Sequence, residues 1–260
     1  MAWKNRVCKA VRTVRLLLLL IAPWGLGASH AWAAERVNVG VYPFLPFVDP
    51  SGGLTADLVH AMNAFQKDYQ FQLVSTSANR RYRDMADGSF NVMFFENIKW
   101  GWDPKSVSAT KVFLHGDGEV YVARSEPARG QEYFQTLEDK HLLATTGYHY
   151  GFANFEADPA ILAQKYKITF SADNAISLRN LLAARGDVAV ITKSYLKGYL
   201  IKNPQVAAKL LVSERYDQTY AHTVLVRKNT KPTVAELESL LDRMQTSGAL
   251  KGLWTRYGLE

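Results

Sequence analysis

The stretch VNVGVY at residues 37–42 alternates apolar with polar or small side chains, a pattern typical of a half-buried strand. Residues 55–68 then carry apolar side chains at helical spacing. Two further apolar runs, at residues 71–74 and 91–95, are separated by a short helical pattern at residues 80–86. This β-α-β-α-β order predicts a mostly parallel sheet covered by helices.

A second α/β series follows the polar stretch at residues 125–131. Its strands are predicted at residues 142–145, 168–170 and 188–191, with helices between them. Two more strand patterns, at residues 119–124 and 220–226, join this series to the first. We therefore expect an α/β protein with two lobes, each a mixed sheet flanked by helices, connected by a two-strand hinge.

The N-terminal segment differs in composition from the rest of the chain. Within residues 1–33, five basic side chains precede a short apolar run and an Ala-Trp-Ala step, which is typical of a secretory signal peptide cleaved near Ala33. The apolar run is shorter than the roughly 20 residues that span a bilayer, so no stable membrane insertion is expected. Lobe 1 is predicted at residues 34–120 and 223–260, and lobe 2 at residues 121–222.

Removing this segment changes the charge balance and the cysteine count. Its five basic residues and lack of acidic residues lower the formal net charge from +7 to +2, so the sequence does not indicate a nucleic-acid partner. Cys8, the sole cysteine, leaves with it, which excludes disulfides and thiolate metal sites. The histidines show no metal-ligand spacing, and no common catalytic motif occurs. We expect no metal, no cofactor and no catalytic residue.

Six motifs in sequence together carry a family resemblance, and two of them are GLTADL at residues 53–58 and LED at residues 137–139. PFLPF at residues 43–47 forms a proline–aromatic loop after the first strand. MADGSFNV at 85–92 and LAARGDVAV at 182–190 each place a glycine shortly before a buried strand, and SGALKGLW at 247–254 closes the chain. These motifs, in this order, resemble the bacterial family 3 solute-binding proteins, the polar amino-acid-binding type of ABC importers. Asn91 stands where aspartate is usual in that family.

The resemblance implies a periplasmic, monomeric protein that captures a small polar or aromatic solute between its lobes and delivers it to an inner-membrane ABC permease. In this fold, strand ends, loops and helix N-termini face the cleft between the lobes. The predicted lining of the first lobe comprises Tyr42, Phe44, Glu96, Asn97, Trp100 and Trp102. The predicted lining of the second lobe comprises Thr145, Thr146, Tyr148, Thr192 and Lys193.

Two charged positions of the family pattern are missing. After the third strand the family usually has threonine–proline–glutamate–arginine, whose arginine binds the ligand's α-carboxylate by two parallel hydrogen bonds. Here ENIKWGWDP at residues 96–104 contains no arginine, and Asp103 lies near its place. Where an aspartate usually meets the α-ammonium, this chain has Thr192 and Lys193. We therefore expect a ligand other than an ordinary L-amino acid, with Lys193 facing an acidic or aromatic group and Glu96 or Asp103 facing a cation or polar group.

Several of these residues have a second interpretation. Trp100 and Trp102 could stack on a planar ligand or pack under their own loop. Glu96 could be a cleft carboxylate or a salt-bridged strand end, and Phe44 could be a cleft wall or a core residue. A basic cluster in the short helix is interpreted as a solvated face rather than an anion site; it comprises Arg80, Arg81 and Arg83.

Two other functions stay open at this point. The first is a periplasmic binding protein that serves a membrane sensor or another enzyme without transport. The second, which is less favoured, is an enzyme similar to cyclohexadienyl dehydratase, with Glu96 or His115 as proton donor. The missing arginine argues against the dicarboxylate substrate of such an enzyme.

Overall fold

The computed structural model describes residues 34–259, so the predicted signal peptide and its cleavage site lie outside the described residues. The strands are β1 (Glu35–Val41), β2 (Tyr69–Ser75), β3 (Val92–Glu96), β4 (Val107–Ala109), β5 (Leu114–Arg124), β6 (Leu142–Thr145), β7 (Ile168–Ser171), β8 (Val188–Thr192) and β9 (Leu210–Arg227). The helices are α1 (Leu54–Phe65), α2 (Arg81–Ala86), α3 (Pro159–Lys165), α4 (Asn174–Leu182), α5 (Lys193–Lys202), α6 (Val234–Thr246) and α7 (Ala249–Tyr257). Within residues 34–259, no helix has the length and apolar character needed to cross a membrane.

The first part of the chain forms the β-α-β-α-β unit that the sequence predicts. β1 pairs in parallel with β2 on one side and with β3 on the other. Every residue of β3 is buried, because this strand lies inside the sheet and is covered on both faces. Helix α1 buries Leu54, Leu58 and Met62, which are four residues apart and therefore share one face of the helix.

The second part of the chain repeats this arrangement. β6 pairs in parallel with both β7 and β8, and β8 pairs antiparallel with β5. The helices between these strands begin at side-chain caps, since Asp158 accepts hydrogen bonds from the first turn of α3 and Asp173 does the same for α4. Capping residues and buried apolar strands are both visible as local sequence patterns, so the sequence identifies the helices and strands of this half of the fold.

The two long strands β5 and β9 connect the halves. Residues 210–222 of β9 pair antiparallel with β5, and residues 223–227 pair with β3 and β4. The overall order is β2-β1-β3-β9-β5-β8-β6-β7, with β4 beside β9. Both strands are longer than the sequence pattern predicts. Register shifts interrupt the alternation of buried and exposed side chains along them, so the pattern identifies only part of each strand. The predicted fold class is confirmed. Strand β9 changes its pairing partner between residues 222 and 223. The exact lobe boundaries stay a prediction.

Candidate functional site

A small cavity lies where the two halves of the fold meet, beside β5 and β9. Its empty volume, including its mouth, is about 220 Å³, and it has room for about one water molecule. Side chains from both halves line it: Tyr42, Phe44, Arg81, Trp100, Glu119, Tyr148, His149, Gln218 and Tyr220. Five of these nine residues are aromatic and two are charged, so the wall combines ring faces with a few polar groups, as ligand sites do.

Arg81 supplies a buried positive charge to this wall. Its side chain is 1% exposed, and its Nε lies 3.4 Å from Glu96 Oε1. The guanidinium carbon lies 4.6 Å from the ring centre of Tyr42 and 4.4 Å from that of Tyr82, within cation–π range. Burial raises the pKa of the Glu96 carboxyl, whereas the Arg81 charge and a 2.8 Å hydrogen bond from Trp102 Nε1 act to lower it. The Arg81 charge is therefore already compensated by Glu96 within the protein.

The burial of Arg81 corrects the interpretation of the basic cluster as a solvated face. Arg80 and Arg83 do lie in solvent, with side chains 74% and 85% exposed. Arg81 lies on the buried side of α2 together with Met85, four residues further along. That spacing places both residues on one helix face, and it was the sequence signal that could have identified Arg81.

Hydrogen bonds between side chains and backbone groups of the two halves lie next to the cavity. The Arg81 guanidinium donates to the Gly147 carbonyl at 3.3 Å, and the Tyr148 hydroxyl donates to the Pro43 carbonyl at 3.2 Å. His149 Nε2 lies 2.7 Å from the Tyr82 hydroxyl, and its Nδ1 lies 2.6 Å from a backbone carbonyl oxygen. Because only Nδ1–H can bond that carbonyl, Nε2 is the acceptor. Burial lowers the pKa of His149 to about 4, so the ring is neutral near pH 7.

Glu119, on β5, is the buried carboxylate of the wall, and it has no ion-pair partner among residues 34–259. Its Oε2 accepts a 2.6 Å hydrogen bond from Gln218 Nε2. Gln218 also donates to the His149 carbonyl and accepts from Trp100 Nε1 at 3.2 Å, so its amide is fixed in one orientation. Burial and the neighbouring Asp217 carboxylate raise the pKa of Glu119 well above its ordinary value.

Asp217 and Glu119 are close enough to influence each other's titration, and their hydrogen bonds differ. Burial raises the pKa of Asp217 as well. Asp217 nevertheless accepts from the Tyr121 hydroxyl at 2.6 Å and from the backbone N–H groups of Gly151 and Phe152 at 2.6 and 2.8 Å. Three donors favour the charged form of Asp217, so the pKa of Glu119 is the one raised further above its ordinary value.

The aromatic part of the wall is built from edge-to-face ring pairs. The Phe44 ring centre lies 5.4 Å from that of Tyr148 and 5.7 Å from that of Tyr220, at interplanar angles of 85° and 74°. Trp100 lies 5.6 Å from Tyr220 at 78°. In this geometry the electropositive edge of one ring meets the electronegative face of another.

The sequence-predicted site residues divide into three groups in the structure. Tyr42, Phe44, Trp100 and Tyr148 line the cavity, and Glu96 and Trp102 lie beside Arg81 as a buried hydrogen-bonded pair. The others lie outside the wall: Asn97, Thr145, Thr146, Thr192 and Lys193. Five wall residues were not predicted: Arg81, Glu119, His149, Gln218 and Tyr220.

The residues outside the wall have other partners. Asn97 accepts from the Lys99 N–H in its own turn, and Thr192 accepts from the buried Asn174 amide at 2.8 Å. Lys193 is exposed, with its ammonium 2.5 Å from the Tyr216 hydroxyl. Thr145 and Thr146 lie where β6 ends and bond other second-half residues. Asp103 and His115 are exposed and lie outside the wall.

The described residues contain no group of three or more His, Cys, Asp or Glu side chains placed to hold a metal ion.

Comparison with solved structures shows which fold this is. An ABC uptake transporter substrate-binding protein from Streptococcus pneumoniae with bound histidine is 18% identical, with a TM-score of 0.67 over 85% of this chain and 92% of its own. The GluR0 ligand-binding core with L-glutamate is 14% identical, with a TM-score of 0.67 over 88% and 100%. An ancestral arginine-binding protein bound to arginine is 15% identical, with a TM-score of 0.65 over 86% and 99%. The chain thus has the two-lobed fold of these proteins.

A further structure with this fold is an ancestral amino acid-binding protein described as a precursor of cyclohexadienyl dehydratase. It is 17% identical to the chain, with a TM-score of 0.66, and the match covers 87% of the chain and 96% of that protein. No protein-family model matches the chain, and no curated protein matches it by sequence.

Proposed function

We propose that this chain is a periplasmic solute-binding protein that captures a small polar or aromatic solute between its lobes and delivers it to an ABC permease. The observation that carries the proposal is the cavity itself, because its wall takes buried charged and aromatic side chains from both halves of the fold. Solute binding between two lobes needs such a shared wall, together with long connecting strands that can act as a hinge.

The mechanism we propose is closure stabilised by the ligand. A solute that bridges Tyr42 and Phe44 of the first half and Tyr148 of the second half, beside Glu119 on the connecting strand β5, binds the closed form better than the open form. The permease would then recognise the closed shape. The structure with its small cavity represents this closed arrangement, since hydrogen bonds such as Tyr148 to Pro43 already join the halves.

The first experiment identifies the ligand. Protein purified without denaturation is expected to retain a solute that mass spectrometry detects after acid release. A library of small metabolites is expected to contain compounds that raise the melting temperature, because a ligand at about 100 times its Kd stabilises the folded state by about 2.7 kcal/mol. If no compound is retained and none raises the melting temperature, the proposal is wrong.

The second experiment separates transport from a non-transport role. Cells that lack the protein are expected to lose uptake of the identified solute. A gene copy that encodes residues 1–33 should restore this uptake, and the protein that it produces should be found in the periplasmic fraction. Uptake that continues unchanged in the deletion strain, despite tight binding by the purified protein, would instead favour a sensor or partner role.

A further inference from the structure

The cavity wall contains one basic and one acidic side chain, Arg81 and Glu119, and only Arg81 has an ion-pair partner among the described residues. Arg81 is held by two ring faces and by Glu96, so a cation, aromatic faces and a buried carboxylate already form one complete set. Glu119 lines the same cavity as the rings of Tyr148 and Tyr220, but no cation of the described chain pairs with it. The wall therefore places a buried carboxylate and ring faces together without a cation of the protein between them.

From this we infer that the ligand is a small organic ammonium ion without a carboxylate, held by Glu119 and by the rings of Phe44, Trp100, Tyr148 and Tyr220. The inference rests on the proposed function and specifies its ligand class. Aromatic rings around a carboxylate are the arrangement that recognises alkylated ammonium groups. Arg81 offers no free charge to a carboxylate, since Glu96 compensates it.

The ring geometry supports the same ligand class. In each edge-to-face pair around Phe44 and Tyr220, an electropositive ring edge lies against an electronegative ring face. A cation competes for the same face, and it interacts with that face more strongly than a neutral ring edge does. The remaining space is about one water molecule, so the ion enters when the lobes separate and these ring pairs part.

The state of Glu119 agrees with a cationic ligand. Asp117 and Asp217 lie near it and add negative potential, which together with burial favours the protonated carboxyl. Asp117 is held by the Ser194 N–H at 3.1 Å and by its hydroxyl, and Asp217 by three donors, so both are satisfied without a ligand. An ammonium ion beside Glu119 stabilises its ionised form and takes the place of its proton.

The test uses the processed protein and calorimetric titration with choline, tetramethylammonium and dimethylbutanol, the neutral carbon analogue of choline. L-Arginine, L-glutamate and glycine betaine serve as ligands with a carboxylate. Choline or tetramethylammonium is expected to bind, with dimethylbutanol at least tenfold weaker. Equal affinity for dimethylbutanol, or binding of the carboxylate-bearing compounds alone, overturns the inference while supporting the proposed function. Failure of these probes and of the metabolite library overturns both.

The matched variants are Glu119→Gln and Glu138→Gln. Glutamine resembles the protonated carboxyl in shape and can still accept from Gln218, so E119Q is expected to fold with an unchanged melting temperature. Its affinity for the ammonium probe is expected to fall at least tenfold. Glu138 is exposed and lies outside the wall, so E138Q should bind as the parent does. Full affinity in folded E119Q would show that Glu119 does not hold the cation.

Discussion

At the residue scale, the buried pair Arg81–Glu96 is the most consequential interaction of the cavity wall. Both side chains are at most 1% exposed, so each loses its hydration and depends on the other. Surface pairs such as Arg83–Asp87 keep most of their water. Residues of the same type in one short helix therefore have different roles, and substitution separates them.

Arg81→Ala is expected to lower the free energy of unfolding by about 3–5 kcal/mol, because it leaves the Glu96 charge buried without its partner. Arg83→Ala in the same helix should change it by less than about 1 kcal/mol, as for other exposed pairs. Urea denaturation of the two variants measures both values. Similar losses in the two variants would contradict the assigned role of Arg81.

His222 makes a second residue-scale prediction, which concerns pH. The ring of His222 is fully buried, and this burial lowers its pKa to about 3. The unfolded chain, with a pKa near 6.5, binds the proton first as the pH falls. The contribution of the neutral ring is therefore complete above about pH 6.5 and is lost as the pH falls toward 3, at about 1.4 kcal/mol per pH unit.

His222→Phe removes this titration and keeps an aromatic ring among Phe47, Phe95 and Tyr220. Between pH 7 and pH 4.5 the parent is expected to lose about 2–3 kcal/mol relative to the variant. The pKa values of Glu119, Asp117 and Asp217 are raised, so their contribution to the free energy of unfolding changes with pH in the opposite direction. These contributions are the same in the parent and the variant, and they cancel when the two free energies are subtracted. Denaturation curves that shift in parallel with pH would contradict the prediction.

At the element scale, the pairing of β5 with β9 depends on a close approach at Gly118. A Cβ at this position would overlap the Gln218 carbonyl oxygen and the Tyr216 ring. Gly118 lies next to two register shifts of the β5–β9 ladder, where the strands change their pairing. The element that connects the halves therefore needs a residue without a side chain at this point.

Gly118→Ala is expected to destabilise the protein by about 1–3 kcal/mol, as overpacked sites do. Gly198→Ala is the matched control, because Gly198 lies within α5 and a Cβ there would have no atom of residues 34–259 within 4 Å. Alanine in that helix is expected to add about 0.5–1 kcal/mol. Thermal denaturation compares the two; an unchanged or higher stability of G118A would show that the strands can adjust.

At the scale of the whole molecule, the halves meet closely at Gly147. Its φ is +75°, and a Cβ there would lie 2.6 Å from Asn79 Oδ1 and 2.7 Å from the Ala78 Cβ across the contact. The Gly147 carbonyl also accepts from Arg81 of the other half. Closure of the proposed lobes thus depends on close contact between the backbone at position 147 and residues 78–79, which a residue with a Cβ would prevent.

Gly147→Ala is expected to hold the lobes apart and to raise the radius of gyration measured by small-angle X-ray scattering. Gly248→Ala carries the same backbone cost, since the φ of Gly248 is +80°, but a Cβ there would have no atom of the described part of the chain within 4 Å. The control should therefore lose stability without changing shape. If both variants scatter as the parent does, the contact at Gly147 does not determine closure.

The sequence by itself determined the α/β elements and the order in which they occur. Alternating and helical patterns are local, because they arise when one strand face or one helix face is buried. The first predicted strand and the following helix agree with β1 and α1 within a few residues. Tyr42, Phe44, Trp100 and Tyr148 were predicted for the same local reason, since each follows the end of a strand or lies in a loop beside one.

Only the tertiary structure decided which charges face the cavity. Arg81 and Glu96 are 15 residues apart and Glu119 and Gln218 are 99 apart, and each pairing depends on what lies opposite after folding. The spacing of Arg81 and Met85 places both on one face of α2, but a buried charge also needs a partner, and the partner of Arg81 lies elsewhere in the chain. The fold is therefore visible in local patterns, while the charge balance of the cavity, and with it the proposed ligand, follows from long-range packing.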